Sequence, residues 1–80
     1  MAAKYIVFKC GGEETPVVFP ESIQHKEMVL KTEWEECCPV SAAYFSVIGG
    51  KVEVFGFSKS LDLKPRPEDA NLIQKLLTSL

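Results

Sequence analysis

Residues 40–57 read VSAAYFSVI-GG-KVEVFGF, two apolar and aromatic segments on either side of Gly49-Gly50. A two-residue Gly-Gly loop is typical of a type I′ hairpin, in which both central residues need positive φ. Such a turn also fixes the register of the two strands that it joins. The predicted opposed pairs are Ile48 with Lys51, Val47 with Val52, Phe45 with Val54 and Tyr44 with Phe55. The stretch therefore predicts an antiparallel hairpin with strands over 40–48 and 51–57.

The two faces of this hairpin differ in chemistry, because successive side chains of a strand point to opposite sides. One face collects small and apolar residues: Ala43, Phe45, Val47, Val52, Val54 and Gly56. The other face carries three aromatic side chains around two polar ones: Tyr44, Phe55 and Phe57, with Ser46 and Glu53. We expect the first face to pack on a helix. The second must be covered by another helix or by another chain, because an uncovered aromatic face marks an interaction site.

A second hairpin is predicted at the start of the chain. Lys4–Lys9 is rich in β-branched and aromatic residues, 10–14 contains Gly11-Gly12, and Thr15–Phe19 is again apolar. Pro16 cannot donate a hydrogen bond to a neighbouring strand, so this second strand should lie at the edge of the sheet.

Two helices complete the prediction. Ser22 is a candidate N-cap for a short helix over 22–31. Pro67, at a first helical position, begins a helix over 67–79, with Glu68 and Asp69 exposed in its first turn. Its apolar stripe is Ala70, Ile73, Leu76, Leu77 and Leu80, and its polar side is Asn71, Gln74, Lys75 and Ser79. Residues 31–38 have no clear period and are predicted to form a loop or a single frayed turn. The expected fold class is α+β, with the order ββαββα, an antiparallel sheet of two hairpins and the C-terminal amphipathic helix packed on one face.

Composition narrows the class of protein. The chain has 80 residues, 46% hydrophobic and 25% charged, which is the size and composition of one small folded domain over 1–80. No apolar run reaches the roughly 18 residues of a membrane-spanning helix. Nine basic and eleven acidic residues give a net charge of −2, which argues against binding to nucleic acid and against mimicry of a phosphate backbone.

The cysteines bear on the cellular compartment. There are three, Cys10, Cys37 and Cys38, and an odd number cannot all pair within one chain. The N-terminal residues show no secretion signal. We therefore expect free thiols and a cytoplasmic location. A domain this small is marginally stable, so a partner subunit or a metal becomes the expected extra support.

Several segments together resemble one group of proteins. They are Tyr5–Lys9, Phe19-Pro20-Glu21 with Ile23 and His25, Pro39–Ala42, the residues Gly56, Ser58, Ser60 and Leu61, and Arg66–Ala70 with Leu72-Ile73. The chain is similar, over nearly its whole length, to small bacteriophage and prophage proteins that have no assigned function. It departs from their pattern at Phe57 and Asp62, where a polar residue and a glycine are expected. The resemblance implies a bacterial or viral setting and a cytoplasmic location, and it implies no mechanism.

One set of residues has the chemistry of a metal or ligand site. Cys10, His25, Cys37 and Cys38 are the residue types that bind zinc. Their spacing lacks the paired ligands two to four residues apart that structural zinc sites use, so we predict no metal and no cofactor. A ligand- or metal-binding module that uses His25 with a cysteine is kept as the alternative.

The predicted function follows from the aromatic face. No nucleophile is paired with a base, so we expect no enzymatic activity. We expect a small protein-interaction module that self-associates as a homodimer, through this face or through sheet edges, or docks on a larger protein. The predicted interaction residues are Trp34, Tyr44, Phe55 and Phe57.

Overall fold

The computed structural model describes residues 2–32, 34 and 36–79. Its elements, in chain order, are β1 (Ala2–Cys10), β2 (Glu13–Phe19), α1 (His25–Thr32), β3 (Cys37–Ile48), β4 (Lys51–Phe55) and α2 (Asp69–Thr78). The strands form one sheet in the order β2-β1-β3-β4, and all neighbours are antiparallel. The α+β class with its antiparallel sheet is confirmed. The helices are placed differently from the prediction.

The central hairpin has the predicted register. Tyr44 lies opposite Phe55 and Ile48 opposite Lys51, and Gly49 and Gly50 both take positive φ, at 60° and 80°. β3 begins three residues earlier than predicted, at Cys37, because it continues its ladder with β1 to the end of that strand. β4 ends at Phe55, two residues earlier than predicted, because Gly56 takes a left-handed φ of 72°.

The first hairpin confirms the argument from proline. β2 pairs only with β1 and forms one edge of the sheet, with Pro16 opposite Val7. Asp62, in the loop between β4 and α2, also has left-handed backbone, with φ 56°. Glycine is the residue that adopts such a conformation without steric cost.

The two helices lie on opposite faces of the sheet. This is seen at β1, whose successive side chains point alternately to the two faces and contact a different helix on each. Tyr5 and Val7 share one buried cluster with Ile73 of α2. Ile6 and Phe8 share another with Met28 and Val29 of α1. The face that carries Phe45 and Val52 is thus covered by α2, as predicted.

Both helices begin later than predicted. α1 begins at His25 rather than near Ser22, because residues 20–23 first form a turn in which the Ile23 amide donates to the Pro20 carbonyl. The cap is Gln24, whose amide donates to the Glu27 side chain at 3.4 Å. α2 begins at Asp69 rather than Pro67. The predicted loop residues Glu33 and Glu35 and the predicted stripe residue Leu80 lie outside the described residues.

Two polar residues of α2 predicted to be exposed are instead part of the fold. Gln74 was assigned to the polar side of the helix, yet its amide oxygen accepts a hydrogen bond from the Val52 amide at 2.9 Å. Asp69 was expected on the surface and is fully buried. Its carboxylate accepts hydrogen bonds from the Tyr5 hydroxyl at 2.7 Å and from the Arg66 amide at 2.9 Å.

Arg66 extends this network to the edge strand. Its guanidinium donates to the Asp69 carboxylate at 3.0 Å and, through two nitrogens, to both carboxylate oxygens of Glu14 at 2.9 and 3.0 Å. The hydrogen bonds with Arg66 lower the pKa of Glu14, while burial and the Asp69 carboxylate raise the pKa of Tyr5. The network Tyr5–Asp69–Arg66–Glu14 therefore joins β1, β2 and the start of α2.

The expectation of three free thiols is wrong. Cys10 and Cys37 lie directly opposite each other at one end of the β1–β3 ladder and form a disulfide, with their Cα atoms 4.3 Å apart. The two cysteines are 27 positions apart in the sequence, so their spacing alone could not predict the pair. The register of β1 with β3 brings them together. Cys38 remains a free, exposed thiol.

Replacing Cys10 by Ser is expected to lower the free energy of unfolding by about 3 kcal/mol, because the unfolded chain loses a constraint on a long loop. Chemical denaturation without reductant measures the change. Cys38→Ser is the matched control and should unfold like the parent protein. Equal stability of Cys10→Ser and Cys38→Ser would contradict the assignment of the pair.

Replacing Asp69 by Asn is expected to lower the free energy of unfolding by about 3 kcal/mol, because it leaves part of a buried charge network uncompensated. The control is Glu68→Gln, which removes the neighbouring carboxylate, an exposed group 3.9 Å from Arg66. An exposed pair of that length contributes less than about 1 kcal/mol. Denaturant titrations measure the free energy of unfolding of both variants. An equal loss of stability in the two would refute the central role of the network.

Candidate functional site

Tyr44 lies at the junction of two surface features. On one side of its ring is a cavity of about 370 Å³, lined by Lys4, Gln24, His25, Tyr44, Lys59 and Ser60. On the other side Tyr44 stacks on Phe55, with ring centroids 5.9 Å apart and an interplanar angle of 20°. Both features lie on the sheet face that carries α1.

Lys4 is held at the floor of the cavity by the alternation of β1. It points to the same side as Ile6 and Phe8, and it lies directly opposite Tyr44 of β3. Its Nζ donates to the Ile23 carbonyl at 2.9 Å and lies 5.6 Å from the centre of the Tyr44 ring. Only 9% of the residue is exposed. A lysine is thus anchored inside the fold by a carbonyl and an aromatic ring.

His25 forms one wall as the first residue of α1. It is 3% exposed, and its ring packs edge-on against Phe19 and Tyr44, at 5.5 and 5.8 Å between ring centres. Nε2 lies 2.9 Å from the Ala43 carbonyl, which can only accept, so Nε2 carries a proton. Burial lowers the pKa of His25, and Lys4 adds to the effect against the opposing hydrogen bond to Ala43. The neutral ring therefore has Nδ1 as its acceptor.

The loop after β4 closes the cavity. Ser60 Oγ accepts a hydrogen bond from the Lys26 amide in the first turn of α1, at 3.2 Å. Ser58, just before this loop segment, exchanges two backbone hydrogen bonds with Leu63, at 2.8 and 3.2 Å. These contacts hold Lys59 and Ser60 against the start of α1.

The predicted interaction residues are only partly brought together. Tyr44 and Phe55 are in contact, and Phe57 follows two residues later, beyond the end of β4. Phe55 is 44% exposed and Phe57 is 57% exposed. We call Phe55 and Phe57, two exposed side chains of β4 and its exit, the aromatic patch.

Trp34 lies apart from the aromatic patch. Its exposed ring packs edge-on against Phe8, with centroids 5.3 Å apart. Phe8 pairs with Pro39, whereas Tyr44 pairs with Lys4 four residues earlier along β1, a distance of roughly 13 Å. The α1-side face therefore has aromatic residues at both ends, and Trp34 belongs to the disulfide end.

The alternative site of His25 with cysteines is wrong. His25 bonds Ala43, and Cys37 lies six positions away along β3, roughly 20 Å. Cys10 and Cys37 are consumed by their disulfide. Within the part of the chain that the structure describes, no cluster of three His, Cys, Asp or Glu residues has a geometry that could hold a metal ion. His25 instead meets lysines, a serine and an aromatic ring.

Sequence reasoning missed Lys4, Lys59, Ser60 and Gln24 as site residues. Lys4 carried a signal, since it occupies an inward position of a strand whose alternate residues are Ile6 and Phe8. A charged residue at such a position normally has a specific polar or charged partner, because burial of an unpaired charge costs free energy. Lys59 and Ser60 carried no such signal, since their loop reaches α1 only through tertiary structure.

Comparison of the chain with protein-family models, with curated proteins and with solved structures gives no match. The resemblance to small bacteriophage and prophage proteins and the cytoplasmic location therefore stay predictions. Among the described residues, no helix has the length and apolar character needed to cross a membrane.

The pH dependence of stability tests the environment of His25. An unfolded histidine takes up a proton near pH 6.5, and the folded chain takes it up only at lower pH. Stability should therefore fall as the pH falls below about 6.5, until the folded pKa is passed. Urea titrations between about pH 7.5 and 5.5 measure this loss.

His25→Gln is the matched variant, because its amide can still donate to Ala43 and it does not titrate. The chain has one histidine, so the difference in slope between the two proteins belongs to His25. Glu14, whose pKa is also lowered, acts only below its ordinary value of 4.5 and does not disturb this range. Parallel slopes for parent and variant would show that His25 titrates normally.

Proposed function

We propose that the protein is a non-enzymatic interaction module that self-associates as a homodimer through the aromatic patch. The observation that carries the proposal is the exposure of Phe55 and Phe57, 44% and 57%, on a hairpin that buries Phe45 and Val52 on its opposite face. Large aromatic side chains with this exposure are typical of protein interfaces, where they dominate the binding energy.

The aromatic patch is preorganised. Phe55 is stacked on Tyr44, and Tyr44 is in turn packed against His25 and Lys4. β4 is fixed by its register with β3 and by the hydrogen bond from the Val52 amide to Gln74. A rigid aromatic surface loses little conformational entropy on association, which favours binding.

Helix α1 leaves the aromatic patch uncovered. Its apolar residues Met28 and Val29 pack on the cluster of Ile6 and Phe8, toward the middle of the sheet. Its contact with the hairpin aromatics is through His25 and reaches only Tyr44. The sequence analysis allowed either a helix or another chain to cover this face. For Phe55 and Phe57 we infer that another chain does.

The charges around the aromatic patch favour a second copy of this chain as the occupant. Lys51, Glu53 and Phe55 lie in a row on the same face of β4, because they are two residues apart along the strand. The aromatic patch is therefore bordered by one positive and one negative side chain. In a two-fold interface residue i contacts residue j of the partner and j contacts i, so Lys51 of each copy can lie opposite Glu53 of the other. A nucleic acid would meet Glu53 at the same place, and the chain as a whole has a net charge of −2.

Replacing Phe57 by Ser is expected to weaken the dimer at least about tenfold, since loss of an interface aromatic typically costs on the order of 2 kcal/mol. Phe57 lies outside β4 and is the more exposed of the two patch phenylalanines, so the fold should be retained. Sedimentation over a range of concentrations, or native mass spectrometry, measures the monomer–dimer equilibrium.

Leu30→Ser is the control for loss of a large exposed apolar side chain. Leu30 is 69% exposed on α1 and does not belong to the aromatic patch. The dimer should be unaffected by this change. A parent protein that stays monomeric at the highest attainable concentration would refute self-association and favour docking on a larger protein instead.

A further inference from the structure

We propose that the cavity beside Tyr44 binds a small anionic molecule, one that carries a carboxylate or phosphate group, through Lys4 and Lys59. The cavity volume, about 370 Å³, lies at the lower end of the range of small-molecule sites. This proposal does not depend on the aromatic patch or on self-association.

The charges of the lining indicate the sign of the ligand. Two lysines line the cavity, and no Asp or Glu is among its lining residues. The chain as a whole has eleven acidic and nine basic residues and is therefore negatively charged, whereas the charged residues that line the cavity are both positive. Concave sites lined by one sign of charge concentrate counter-ions of the opposite sign.

Lys4 provides the most direct indication. A lysine side chain has three donors, and within the described residues its one hydrogen-bond acceptor is the neutral Ile23 carbonyl. Every ion pair within 4.0 Å in that part of the chain involves Arg66 rather than Lys4. A lysine that is only 9% exposed normally has a carboxylate or phosphate partner. The described residues do not supply that partner, so we infer that a ligand does.

The neutral groups of the cavity are suited to anionic oxygens. Ser60 Oγ already accepts from the Lys26 amide, which leaves its hydroxyl proton free to be donated to a ligand. Gln24 and Lys59 add further donors at the rim, and the Tyr44 ring provides a flat wall. His25 Nδ1, the acceptor of the neutral ring, suits a ligand hydroxyl beside the anionic group. A metal ion does not suit this lining, because it would face two lysines.

Titration with inorganic phosphate and, separately, with benzoate tests the proposal by two-dimensional NMR of backbone amides. We expect saturable shifts at residues 24–26, 44 and 59–60 with one or both anions, at constant ionic strength set by sodium chloride. Saturation by phosphate assigns phosphate chemistry, and saturation by benzoate alone assigns a carboxylate with a flat body. Absence of saturable shifts with both anions would overturn the proposal.

Variants connect the binding to the lysines. Lys59→Gln, on an exposed loop, should weaken the bound anion at least about tenfold. Lys75→Gln, at an exposed lysine of α2 on the opposite face of the sheet, is the control and should bind like the parent. Equal affinity of the Lys59→Gln variant and the parent would place the anion elsewhere.

Lys4→Met separates a ligand-binding lysine from a structural one. Methionine keeps the apolar stem and removes a buried ammonium group that has no charge partner among residues 2–32, 34 and 36–79. The variant should be at least as stable as the parent in urea, yet lose anion binding. A variant that is less stable and still binds phosphate or benzoate would show that Lys4 acts only in the fold.

Discussion

The structure depends on the burial of one carboxylate, that of Asp69. A buried carboxylate requires hydrogen-bond donors and a cation, and Tyr5 and Arg66 meet this requirement only when the start of α2 lies against β1. Arg66 then reaches Glu14 on β2, so a single network joins three elements that are distant in sequence. With the start of the helix fixed, Ile73 enters the core beneath Phe45 and Val52. Full burial of such a side chain contributes about 2 kcal/mol.

The position of α2 determines what remains for function. α2 packs on one face of the sheet, and the short helix α1 packs on the other. The disulfide Cys10–Cys37 closes one end of the β1–β3 ladder, and Lys4 lies opposite Tyr44 toward the other end. The cavity therefore lies on the α1 side, toward the end of the ladder away from the disulfide, and Phe55, opposite Tyr44, lies beside it.

This end of the sheet combines cationic, hydroxyl and aromatic side chains. His25 is neutral and holds the Ala43 carbonyl, and its neighbours are two lysines, a serine and aromatic rings. Ser60 and His25 line the same cavity, and among the described residues their hydrogen bonds go to the Lys26 amide and the Ala43 carbonyl rather than to each other. Tyr44 is common to both features, since one side of its ring borders the cavity and Phe55 stacks on it. A small ligand and a second chain would thus contact neighbouring surfaces of one residue.

The sequence by itself determined the features that depend on neighbours along the chain. Gly49-Gly50 determined a turn and thereby the register of Tyr44 with Phe55, and Pro16 determined an edge strand, because turn geometry and backbone donors are local properties. Only the tertiary structure decided the pairing of Cys10 with Cys37, the burial of Asp69 beside Tyr5, 64 residues away, and the meeting of Lys4 with Lys59. The disulfide depends on the register of β1 with β3, and the other two contacts depend on how α2, α1 and the loop before α2 pack on the sheet. The alternation of Tyr5 and Ile6 along β1 does not by itself assign either helix to a face, because both faces of this strand are buried.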